Sequence, residues 1–110
     1  MVTGWIKFDA VWINDVVKSA LAERIGGATI KQLKVVGQTL EDRTVRLIVS
    51  SKVVTAQGDE MHVNFPSTEI DEWLEAALID RGYEKEQWVT KPRLWMVHTE
   101  FGYSFKYGLN

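Results

Sequence analysis

The chain has 110 residues, 45% of them hydrophobic and 25% charged, with no cysteine, two prolines and a formal net charge of −2. That length and composition suit one ordered domain over residues 1–110, with a single core, and exclude two independent cores. The missing cysteines exclude disulfides, thiolate nucleophiles, iron–sulfur clusters and cysteine-ligated zinc, and no apolar run approaches the ~20 residues of a membrane helix.

Residues 5–12 alternate loosely and predict a first strand, with Ile6 and Phe8 on one face. Asn14-Asp15 is a helix start, since Asn accepts from free backbone N–H groups and Asp suits the positive end of the helix dipole. Ile13, Val16, Val17, Ala20, Leu21 and Ile25 then keep helical spacing up to Gly26-Gly27, where glycine closes the helix. Three strands are predicted at 29–37, 43–54 and 60–65, joined by polar, glycine-bearing loops at 38–42 and 55–59. Links this short make the three antiparallel neighbours. Their inner face reads Leu33, Val35, Val45, Leu47, Val49, Met61, Val63 and Phe65.

Pro66 ends the third of these strands. Thr68-Glu69-Ile70-Asp71 has the form of a capping box, and Ile70, Trp73, Leu74, Ala77 and Leu78 repeat at i, i+3, i+4, i+7 and i+8. Arg81 suits the negative end of this second helix and Gly82 stops it. Residues 87–90 read as a short strand stopped at Lys91-Pro92. Residues 93–99 and 103–109 read as a hairpin turning at 100–102. The order is β-α-β-β-β-α-β-β: an α+β two-layer sandwich, with a mostly antiparallel sheet of about five to six strands carrying two helices on one face. The other sheet face is left wet or open to a partner.

The central α-β-β-β-α order, from Asn14 to Arg81, is similar to that of double-stranded RNA-binding domains, in topology alone. The resemblance implies basic residues at the start of the second helix, reaching phosphates across a groove. Glu69, Asp71, Glu72 and Glu75 stand there instead and repel phosphate, which argues against canonical duplex RNA binding. Residues 67–86 carry two basic and seven acidic groups, whereas residues 87–110 carry three basic and one acidic. The acidic stretch either attracts a basic partner or is the solvated side of an amphipathic helix.

Two surfaces are candidates for binding. If Leu33, Val45 and Val63 point inward, then Lys34, Arg46, Lys52, His62 and Asn64 point outward as a mildly basic patch. Such a patch suits an anion or an acidic protein surface, and equally serves solubility and protects sheet edges. The second is the C-terminal segment. Trp88, Trp95, Phe101, Tyr103, Phe105 and Tyr107 interleave there with Lys91, Arg93 and Lys106. Rings beside cations stack a base while holding its phosphate, or make a protein-binding hot spot. The plainer reading packs all of these rings into the core.

Catalysis has little support. The only histidines are His62 and His98, near Glu60 and Glu100 on strands, a geometry that permits an acid–base pair without implying one. No phosphate-cradling glycine loop or GxSxG motif occurs, and neither a cofactor nor a metal site is expected. The sequence thus points to a non-enzymatic, cytoplasmic interaction protein with a protein partner, in the manner of an accessory inhibitor from a phage or other mobile element. Its binding residues would be Trp95, Arg93, Tyr103, Phe105, Lys106, Tyr107, Lys34, Arg46 and His62. Self-association is expected through edge pairing of strands such as 103–109. A binder of a nucleotide-like anion is the second reading, and a small enzyme using His62 or His98 the third.

Overall fold

The computed structural model describes residues 2–109; residues 1 and 110 lie outside that description. The elements are β1 (Val2–Phe8), α1 (Ala10–Ile25), β2 (Thr29–Thr39), β3 (Val45–Val54), β4 (Glu60–Phe65), α2 (Ser67–Asp80), a 3₁₀ turn (Lys85–Gln87), β5 (Arg93–Val97) and β6 (Glu100–Leu109). The described residues are therefore α+β in the predicted order, with two helices and six strands. The strands divide into two three-stranded antiparallel sheets: sheet A, ordered β1-β6-β5, and sheet B, ordered β2-β3-β4. The period-two pattern settles which side of a strand meets the core, but not which strand lies beside it.

Several boundaries differ from the sequence reading, each for a local reason. The first helix starts at Ala10, because the Asp9 carboxylate accepts the Trp12 N–H at 3.1 Å and caps it. Asn14 lies within the helix, its side-chain amide donating to the Ala10 carbonyl at 2.8 Å. Trp12 accordingly belongs to α1 and not to a strand. The second helix starts at Ser67 behind Pro66, with no side-chain cap, so the capping box at Thr68 does not form. Pro66 is extended, at φ −67° and ψ 149°, and its carbonyl accepts from Glu69 and Ile70 N–H to open the first turn. Residues 87–90 are not a strand. The 3₁₀ turn leads instead to one isolated bridge, Trp88 with Tyr107. The last hairpin turns at His98-Thr99, where Val97 pairs with Glu100 and His98 takes a φ of 56°.

Strand β6 is the centre of sheet A. It pairs with β1 from Val2↔Leu109 to Phe8↔Tyr103, and with β5 from Arg93↔Ser104 to Val97↔Glu100. Residues 103–109 are thus paired with β1 along one flank, and on the other are met by β5 as far as Ser104 and then by the segment around Trp88, so β6 is an inner strand of the sheet and not an edge strand as expected. The free edges of sheet A belong to β1 and β5.

Both sheets turn one face to the helices. Ile13 and Val17 of α1 and Ile70, Leu74 and Leu78 of α2 form one cluster with Leu47 and Val49 of sheet B and Phe101, Tyr103, Phe105 and Tyr107 of sheet A. Phe105 is fully buried, with Tyr83 and Trp88 meeting it edge-on at centroid distances of 5.6 and 5.8 Å. The sheets meet where Gly37 of β2 lies under β5 and β6. A Cβ at Gly37 would sit 3.1 Å from Met96 Sδ and 3.5 Å from Phe101 Cβ. Met61, expected inward, is 51% exposed: it lies near the outer end of edge strand β4, paired with Val53. The result is long and flat, with extents of 55 × 31 × 20 Å.

Gly102 is a second tight point. A Cβ there would overlap the Trp95 ring, lying 2.5 Å from Cε2, and would come within 2.6 Å of the Phe8 carbonyl oxygen. Gly4, on the neighbouring strand, has open space at the same position. Gly102→Ala is expected to cost about 2 kcal/mol or more, through overpacking against backbone. Gly4→Ala should be within about 0.5 kcal/mol of the parent. Urea midpoints of the two variants check this.

Candidate functional site

Strand β6 alternates rings with small or charged residues. Phe101, Tyr103, Phe105 and Tyr107 point into the core, so Gly102, Ser104 and Lys106 face the opposite side. The register extends this outer face onto both neighbours: Trp5 beside Lys106, Lys7 and Arg93 on either side of Ser104, Trp95 beside Gly102. Trp5 is 59% exposed. Trp95 is half-buried, because its ring lies across Gly102, where there is no side chain to hold it off.

The outer face therefore has a low middle and two tryptophan walls. Trp5, Lys7, Trp95 and Ser104 line a recess of about 410 Å³. A neighbouring recess of about 570 Å³ shares Trp5, Trp95 and Ser104 and adds Thr90, Lys91, Arg93 and Leu94. Among the described residues, no carboxylate lines either recess. Lys7, Lys91, Arg93 and Lys106 make no ion pair among the described residues. Lys7, Arg93 and Lys106 beside two indole faces can hold an anion that also carries a flat or apolar group, while Lys91 also feels the Asp71 carboxylate across the adjoining cleft.

The structure divides the residues singled out from the sequence. Trp95, Arg93 and Lys106 come together on the outer face of sheet A. Tyr103, Phe105 and Tyr107 do not join them: at 3%, 0% and 7% exposure they are core residues, and cannot stack a ligand on that face. Burial of every second ring is what alternation on a one-sided sheet requires. Lys34, Arg46 and His62 lie on the other sheet, exposed on its outer face. Much of that face is already satisfied. Glu60 takes Lys31 at 2.5 Å and Lys52 at 3.0 Å, and these two ammonium groups, Lys31 foremost, hold its carboxyl down to about 2. Arg46 Nε donates to Gln38 Oε1 at 2.7 Å.

Trp5, Lys7 and Ser104 were not among the sequence candidates. The signal was present, since placing Ile6 and Phe8 on the inner face sends Trp5 and Lys7 to the outer one. What the sequence lacked was the pairing of β1 with β6, which brings the two ends of the chain together.

A second concavity, of about 540 Å³, lies at the junction of the sheets and is lined in part by Arg43, Asp71, Glu75, Lys91, Arg93 and Tyr103. Burial pushes the Asp71 carboxyl up, as does Glu75 one turn along α2, with Lys91 opposing. The Tyr103 phenol is likewise pushed well above its ordinary range, first by burial and then by Glu75 and Asp71. A phenol so placed stays protonated and acts as a hydrogen-bond donor, not as a base. The histidines do not assemble with this cleft: His62 is on β4, and His98 is in the β5–β6 turn. Among the described residues, no three His, Asp or Glu side chains cluster to hold a metal, and no helix is long and apolar enough to cross a membrane.

Compared with known proteins, the chain matches no family model, no curated protein and no solved structure.

The Tyr103 environment has a consequence for alkaline stability. Its folded pKa lies above the unfolded value of about 10, so the folded state holds the proton more tightly. The stabilisation is fully present below pH ~10 and is lost as pH rises towards the folded pKa. The melting temperature should fall above pH ~10 in the parent, and Tyr103→Phe should flatten that fall. Thermal scans in steps from neutral to strongly alkaline pH measure both.

Proposed function

We propose that the chain is a non-enzymatic binding module that holds an acidic macromolecular partner on the outer face of sheet A. One observation carries the reading: Trp5 and Trp95 wall two adjoining recesses lined by Lys7, Lys91 and Arg93, with Lys106 paired beside Trp5, and among the described residues no carboxylate lines them. Exposed tryptophan and arginine are the side chains that dominate binding energy at contacts. Lysines at the margin steer an oppositely charged partner and speed its arrival. The helical side, with Glu69, Glu72 and Asp80 on α2, carries the opposite charge, so the molecule presents one face to an acidic partner and turns the other away. Occupying a partner's surface without chemistry is what an accessory inhibitor does.

The face is testable by position. A photo-crosslinking residue at Val97, 60% exposed beside Trp95 on β5, reports on sheet A; the same residue at Val11, 67% exposed on α1, reports on the helical side. In cells of the native host, adducts are expected from position 97 and not from position 11. Lys7→Glu with Arg93→Glu should remove those adducts while leaving the melting temperature within a few degrees of the parent. Adducts from position 11 alone would reverse the assignment of the face.

A further inference from the structure

Resting on that reading, we infer that the partner is unpaired nucleic acid, with one base seated between Trp5 and Trp95 and the flanking phosphates on Lys7, Arg93 and Lys106. Three features favour a single strand. The first is the recess itself. It is walled by two indoles, and its floor is Ser104, next to Gly102 on the same strand, so a flat ring can enter without meeting a long side chain. Stacking on an aromatic face suits every base, and a base inside a duplex cannot reach such a slot without leaving its stack.

The second feature is the spacing of charge. Lys106 and Ser104 are two residues apart on β6, and Lys7 and Arg93 flank Ser104 on either side. Successive rows on one sheet face lie roughly 7 Å apart along the strands, close to the phosphate repeat of an extended single strand. Lys91 and Thr90 continue the polar track in the adjoining recess. A lone nucleotide uses one step of this track, whereas a strand uses several.

The third feature is what the face lacks. Among the described residues no carboxylate lines the recesses; Glu100 stands on the same face but outside them, beyond Gly102 and opposite Val97. Glu69, Glu72 and Asp80 belong to α2, whose buried residues Ile70, Leu74 and Leu78 pack in the core on the inner side of the sheets, while Asp71 and Glu75 of the same helix line the separate cleft at the sheet junction, beside Lys91 and Arg93. An acidic peptide would neutralise the cations but has no planar group of matching size to occupy the slot at each step.

Fluorescence anisotropy with labelled oligothymidylate and oligouridylate of about ten nucleotides tests the inference, with a duplex of the same length and an oligoglutamate peptide as competitors. Binding is expected in the micromolar range with either sugar. Engagement of three phosphates gives a slope of log affinity on log salt of about −2. Trp5→Ala should weaken binding about tenfold, and its high exposure keeps that substitution out of the core. Lys7→Glu with Arg93→Glu should flatten the salt slope. Competition by the duplex or by oligoglutamate should be at least tenfold weaker than by the unlabelled single strand. The inference is overturned if no oligonucleotide binds at about 100 μM, if oligoglutamate competes as well as the single strand, or if Trp5→Ala leaves affinity unchanged. Failure to bind oligonucleotide together with protein adducts from position 97 overturns the nucleic-acid inference and leaves the binding face standing. Failure of both overturns the two together.

Discussion

Strand β6 alternates a large ring with a small or charged residue, and both faces of sheet A follow from that alternation. Inward, Phe101, Tyr103, Phe105 and Tyr107 form much of the core under the helices. Outward, Gly102, Ser104 and Lys106 leave a low strip between two taller neighbours. The strand is central, so its rings are covered on one side by helices and its backbone is paired with β1 on one edge and, as far as Ser104, with β5 on the other. Shifting its register by one residue would put four aromatic rings into water and the small residues into the core. Core and candidate site are thus two sides of one constraint.

The ring contacts show how closely the interior depends on this strand. Phe105 meets Tyr83 and Trp88 edge-on, and Tyr83 also meets Tyr107, at a centroid distance of 5.1 Å. Tyr107 donates from its hydroxyl to the Gln87 side chain, which ties the 3₁₀ turn down onto the sheet. Trp12 stacks over Tyr103 and Phe8 over Trp12, so α1 and β1 are held through the same rings. These aromatics supply large buried areas, in geometries that favour ring edges against ring faces.

The two outer sheet faces are chemically unlike, although the sequence gives each a share of basic residues. On sheet B, one carboxylate, Glu60, engages Lys31 and Lys52, and Gln38 engages Arg46. Exposed pairs of this kind add little stability, but they reduce the local field. On sheet A, the cations stand beside indoles and lack such partners among the described residues. A basic residue next to a carboxylate is a closed account; next to an exposed ring it is available to a ligand. That difference, more than net charge, separates the two surfaces.

The sequence by itself determined the α+β class, the element order, both helices and most inward faces, because periodicity and helix-stopping glycines are local properties. Leu47 and Val49 in sheet B and Ile70, Leu74 and Leu78 in α2 are buried as their spacing requires. The helix starts moved: Asp9 took the capping role expected of Asn14, and α2 begins directly after Pro66 with no side-chain cap in place of the box expected at Thr68. Only the tertiary structure decided that the strands form two sheets and that β1 lies against β6. Strand pairing joins residues about a hundred positions apart, and no local pattern records it. The candidate site depends on that pairing: Trp95, Arg93 and Lys106 were visible at one end of the chain, but Trp5 and Lys7 become part of their surface only when the first strand docks beside the last.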